Sequence, residues 1–136
     1  MKEQDTIVIY TSEDGNTNLQ VNLKDDTVWL NRSHIAELFG RDVKTIGKHI
    51  NNALKEELAG ESVVAKFATT KKYGRQEGYT QTVQIDYYNL EMITSVGYRV
   101  KSKRGVQFRK WANRILKEYL IKGYVINNDI KVERYN

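Results

Sequence analysis

The sequence predicts an α+β fold, and three observations carry the prediction. Thr6–Ser12 and Leu19–Leu23 are rich in β-branched or alternating apolar residues, with the turn-forming run Glu13-Asp-Gly-Asn16 between them. Residues 29–52 read as two short helices joined by a tight turn. Phe108, Trp111, Ala112, Ile115 and Tyr119 recur at i, i+3, i+4, i+7 and i+11, forming one apolar stripe on a helix. Together they predict a winged helix-turn-helix-like core with an N-terminal β-hairpin and a C-terminal amphipathic helix. The expected division is a hairpin extension over 1–27, the winged domain with its last helix over 28–126, and a polar tail over 127–136.

Each element follows from its residues. The first two strands flank Glu13–Asn16, and Asp25-Asp26 makes a second turn before the short strand Thr27–Leu30. Asn31 or Ser33 can cap the first helix, because either side chain accepts from unpaired backbone N–H groups. In that helix Ala36 is small enough for a second helix to cross closely. Gly40 stands where the backbone must take φ > 0, and Ile46 is placed to plug the crevice. Ile35, Leu38, Phe39, Val43 and Ile50 fall at spacings that fill a shared core. The second helix is expected from about Val43 to Leu58, ending near Ala59-Gly60.

Ser62–Thr70 and Tyr79–Asp86 are strand-like runs around the glycine-containing loop Lys71–Gly78. A hairpin directly after such a helix pair is expected to be the wing, with Val28–Leu30 as its third strand and Lys71, Lys72 and Arg75 at its tip. Tyr88–Gly97 reads as a short helix, and Arg104–Gly123 as the amphipathic one, capped by its glycine.

Composition narrows the function. The chain has no cysteine, which excludes disulfides, thiolate metal sites and cysteine nucleophiles and suits a cytoplasmic setting. No apolar run approaches the ~20 residues of a membrane span, and the N-terminus is polar. The net charge of +5 is unevenly spread. Residues 1–27 carry two lysines against six acids, whereas 99–122 carry nine basic residues against Glu118 alone. Residues 28–55 add five basic residues against two acids. An acidic end and a basic remainder suit a molecule whose positive side follows phosphates.

Three runs go further. Thr27-Val-Trp-Leu-Asn-Arg-Ser-His-Ile-Ala-Glu-Leu-Phe-Gly40, Lys48-His-Ile-Asn-Asn52, and the long run from Tyr87 through Met92, Gly97 and Arg104 to Trp111-Ala112 closely resemble the RhuM virulence-protein family, as does Lys117–Gly123. The resemblance reaches from about Ile7 to about Lys131. The layout is also distantly similar to the Bro-N and KilA-N domains of phage antirepressors, which implies an association with DNA.

Read as a helix-turn-helix, the exposed face of the second helix offers Lys44, Thr45, Lys48, Asn51 and Asn52 to base edges. Gly47 would leave room for close backbone approach. Arg32, Arg41, His49, Lys71, Lys72 and Arg75 suit phosphates. Arg41 stands where an apolar residue is common, which would lengthen or re-angle the turn. The expected function is a bacterial or phage-derived transcriptional regulator reading duplex DNA; the alternative is an antirepressor-like domain binding a protein through the basic Arg99–Arg114 surface. An enzyme using Asp86, Glu91 and Lys101 or Lys103 is the third class and is not expected, since no phosphate loop or hydrolase motif occurs. His34 and His49 share no ligand spacing, so neither metal nor cofactor is expected. A homodimer would suit paired half-sites, through either the N-terminal hairpin edge or the Phe108–Tyr119 helix.

Overall fold

The computed structural model describes residues 6–72 and 80–122. It is a mixed α+β structure of five strands and four helices: β1 (Thr6–Thr11), β2 (Asn18–Lys24), β3 (Thr27–Asn31), α1 (Arg32–Phe39), α2 (Val43–Lys55), β4 (Val64–Lys72), β5 (Thr80–Asn89), α3 (Leu90–Arg99) and α4 (Arg104–Lys122). The strands form one antiparallel sheet in the order β1-β2-β3-β5-β4. β3 is the seam: it pairs with β2 across a two-residue turn and with β5 through Leu30 opposite Tyr88. The first two strands and the β4–β5 hairpin therefore share a sheet that continues across position 27.

The turn between β2 and β3 holds Asp25 at φ 54° and Asp26 at φ 65°. Two successive positive φ values match the right-handed twist of the flanking strands, and aspartate tolerates that region better than most residues. Trp29 Nε1 donates to the Lys24 carbonyl at 2.9 Å and secures the hairpin from one side.

Strand alternation sorts the side chains onto two faces. Val8, Tyr10, Leu19, Val21, Val28, Leu30 and Tyr88 point into the helical layer and are buried there with Ile35, Phe39, Ile50, Met92 and Phe108. The opposite face carries a smaller aromatic cluster. Trp29 and Phe67 lie 5.8 Å apart, Phe67 and Tyr87 4.6 Å, and Lys24 Nζ sits 5.1 Å from the Phe67 centroid. Lys66 pairs with its register partner Asp86 at 2.5 Å.

The stripe on α4 packs inward, with Phe108 and Ala112 buried and Trp111, Ile115 and Tyr119 partly so. Tyr10 of β1 meets Phe108 edge-on at 5.1 Å and Trp111 at 5.0 Å, which joins α4 to the N-terminal strands. Where α3 crosses α4, a Cβ on Gly97 would stand 3.6 Å from Gly105 Cα and 3.2 Å from Phe39 Cζ. Glycine at this crossing makes room for the Phe39 ring. Among the described residues no helix is long and apolar enough to cross a membrane.

Three expectations need correction. Helix α3 runs over Leu90–Arg99 and not Tyr88–Gly97, so Gly97 lies inside it and does not end it. Helix α2 stops at Lys55 and does not reach Leu58. Continued at 100° per residue, the helix would turn Glu57 into the buried Ile46–Ile50 row and Leu58 onto the charged face. The chain instead leaves the helix, with Leu58 N–H donating to the Ala53 carbonyl at 2.8 Å and the Leu58 side chain buried. Val43, expected in the core, is 42% exposed because it begins α2 at the rim.

Candidate nucleic-acid interface

The α1–α2 pair is built by local capping. Of the two candidates, Asn31 caps α1, its side-chain oxygen accepting from His34 N–H at 2.8 Å. Gly40 ends α1 in the left-handed region at φ 64°, and Arg41 N–H returns to the Ala36 carbonyl at 3.0 Å. Asp42 caps α2 by accepting from Thr45 N–H at 3.0 Å. The hydroxyl and backbone N–H of Thr45 hold the Asp42 carboxyl below the usual carboxylate range. Thr45, expected at base edges, thus serves the cap. Ile46 and Ile50 fill the space between the helices, and Ala36 is buried as the crossing requires.

Arg41 has a structural use that its sequence position concealed. Its guanidinium donates to the Phe39 carbonyl at 3.2 Å and, across the fold, to the Val100 carbonyl at 3.1 Å. Arg104 matches it, donating to the Leu38 carbonyl at 3.2 Å. Two cations thereby satisfy carbonyls at the negative end of α1, where the helix dipole favours positive charge. The α1–α2 turn stays short, over Gly40–Asp42, and is clasped to the turn between α3 and α4.

Arg32 lies across α2. A Cβ on Gly47 would sit 3.2 Å from Arg32 Nη1 and 3.5 Å from Cζ, so the space at Gly47 holds that side chain and not an outside backbone. This brings Arg32 beside α2. Lys44, Lys48, Asn51 and Asn52 are exposed, and Lys55 joins them at i+11 from Lys44. Lys55 and the Lys101–Arg104 turn were absent from the expected site; the i, i+4, i+11 lysine spacing was the available signal for the first. Among the described residues, none of Lys44, Lys48 and Lys55 forms a salt bridge. Beyond Lys55 the charge reverses: Arg99 on α3 binds Glu56 at 2.7 Å and Glu57 at 2.5 Å, which lowers the Glu57 pKa.

The structure brings Arg32, Arg41, Lys44, Lys48, Asn51 and Asn52 onto or around α2. Lys71 and Lys72 lie on the far end of β4, in register with Gln81 and Thr80, and Arg75 lies outside the described residues, as do Gly123 and the 127–136 tail. Behind the cationic face, His34 is held toward its neutral form chiefly by burial, with Nδ1 buried and unpartnered among the described groups.

Comparison with curated proteins finds no match, and neither does comparison with solved structures. A family model does match. It covers residues 62–135, more than half the chain, and takes in β4, β5, α3 and α4, with the α1–α2 pair immediately before it. The model is that of the virulence protein RhuM family, and the chain belongs to this family.

Proposed function

We propose that this protein is a cytoplasmic DNA-binding regulator that reads duplex DNA with α2, the β4–β5 hairpin acting as the wing of a winged helix-turn-helix. One observation carries the reading. The exposed face of α2 presents Lys44, Lys48, Asn51 and Lys55 with no ion-pair partner among the described residues, although acids are common elsewhere in the chain. Lysine can donate to guanine O6 and N7, and asparagine can pair with adenine at two points. Arg32, held against α2, adds a cation suited to phosphate. A second copy of the chain would supply the second half-site.

Fluorescence titration of labelled duplexes from 50 to 200 mM salt tests this. Binding should weaken steeply with salt, and the Lys44→Ala/Lys48→Ala double variant should lose roughly tenfold or more in affinity while keeping its fold. No binding by the folded chain at the lowest salt would overturn the reading.

The second reading, an antirepressor-like domain that binds a protein, draws on Tyr98, which is 71% exposed, with Val106 also exposed on the neighbouring helix. Under it the same double variant would keep partner binding. No catalytic role is proposed: Asp86, the best acid for a nuclease, is engaged by Lys66. Magnesium-dependent DNA cleavage lost in Asp86→Ala would reverse that view.

A further inference from the structure

The clasp between the two turns leaves something unexplained. Arg41 and Arg104 spend donors on the carbonyls of Phe39, Val100 and Leu38, which fixes Gly40–Asp42 against Val100–Arg104. Within the second turn, Ser102 N–H donates to the Gly97 carbonyl at 3.1 Å and Lys101 N–H to the Tyr98 carbonyl at 3.1 Å. This is a helix-ending arrangement whose left-handed position is filled by glycine in most proteins. Here it is filled by Lys101, at φ 54°.

An L side chain at this φ carries a strain that glycine avoids. Among the described residues the other left-handed non-glycine positions, Asp25 and Asp26, have the short acidic side chain that tolerates such turns. Lys101 lacks that excuse. Its side chain is exposed and makes no hydrogen bond or ion pair among the described residues, and the same holds for Lys103. A strained backbone position that holds a long cation in solvent implies a use outside the chain.

We propose that the α3–α4 turn is a second DNA-contacting element, in which Lys101 and Lys103 grip the phosphate backbone next to the stretch faced by α2. The inference rests on the DNA reading above and extends it to a second part of the fold. Position supports it. The clasp places this turn against Gly40–Asp42, which leads directly into the N-terminal end of α2, so Arg41 links the start of α2 to the turn that carries Lys101 and Lys103. Charge supports it too: Arg41, Lys44, Lys101, Lys103 and Arg104 outnumber Asp42, whose carboxylate stays ionised in its cap, and Asp14, which faces Arg104. Phosphates are the ligand such a turn fits, because flexible ammonium groups on a rigid turn act as point charges without base selectivity.

The test uses the whole chain, with a random duplex and one chosen by selection, titrated across a salt series. Lys101→Gln/Lys103→Gln should flatten the slope of log affinity against log salt by about two and weaken both duplexes roughly 10–50-fold at physiological salt. The ratio between the duplexes should not change. Lys101→Gly supplies a control that a misfolded variant cannot mimic: its melting temperature should rise by about 2–4 °C while DNA affinity falls. A folded Gln/Gln variant with an unchanged slope, alongside a weakened Lys44→Ala/Lys48→Ala variant, overturns this inference alone. Absence of duplex binding by the unaltered chain overturns both readings.

Discussion

The two helix pairs of this fold start alike and end differently. Each follows a strand, β3 or β5, and those strands lie side by side in the sheet with Trp29 opposite Asn89 and Asn31 opposite Tyr87. Each begins at an asparagine that caps the first helix through the N–H three residues on, Asn31 to His34 and Asn89 to Met92. The pairs then diverge at their turns. α1 ends at Gly40, where a left-handed backbone costs little, whereas the turn after α3 places Lys101 in the left-handed region. Their second helices diverge as well. α2 turns a cationic face to solvent with no ion pair among the described residues, while α4 buries an aromatic stripe against Tyr10 of β1. Similar entries thus serve different ends: one pair presents a helix, and the other anchors the fold and carries a charged turn.

Phe39 is where the pairs depend on each other, and removing it is the largest break. Its ring comes from α1 but fills the crossing of α3 and α4 at Gly97 and Gly105. Phe39→Ala should cost about 3–5 kcal/mol in urea unfolding, since it opens a cavity common to both pairs. A loss under 1 kcal/mol would mean the pairs are independent.

The glycines sharpen the contrast at an intermediate scale. Gly97→Ala drives a methyl against the Phe39 ring and the Gly105 backbone and should cost about 1–3 kcal/mol. The atoms nearest a Gly47→Ala methyl belong to the movable side chain of Arg32, so the better helix propensity of alanine should leave stability level or raise it by about 0.5–1 kcal/mol. Equal losses in thermal melts of the two variants would remove the distinction drawn between the crossings.

The smallest effect concerns the tie between the pairs. Arg99 holds Glu56 and Glu57, and its hydrogen bond is the first cause of the lowered Glu57 pKa. A carboxyl whose folded pKa lies below its unfolded value adds stability above the unfolded pKa, about 4.3, and loses it as pH falls through the folded value. Glu57→Gln should therefore lower stability slightly at pH 7, flatten the fall below that pH, and match the unaltered chain once Glu57 is protonated. An unchanged acid limb would assign the fall to other carboxyls, such as Asp42, which is also held low.

Much of the fold was legible because its signals are local. Glu13–Asn16 and Asp25-Asp26 mark turns by residue type alone, and the Phe108–Tyr119 spacing marks a buried stripe wherever the helix packs. The end of α2 was less legible, because Leu58 reads as one more apolar helix residue until the direction of the core is known. The candidate site divided in the same way. Lys44, Lys48 and Asn51 share a face by helical arithmetic. The partners of Arg41 and Arg104 lie 59 and 66 residues away along the chain, a distance that no local pattern spans.

By itself, then, the sequence determined that a helix follows Asn31 or Ser33, where the hairpin turns lie, and which side of α2 carries charge, because capping and periodicity act within a few residues. Only the tertiary structure decided that β3 joins two hairpins into one sheet, that Arg32 covers Gly47, and that the Lys101 turn lies against the α1–α2 turn. Those contacts depend on how the helical layer closes over the sheet, and closure is set by packing among residues remote in sequence.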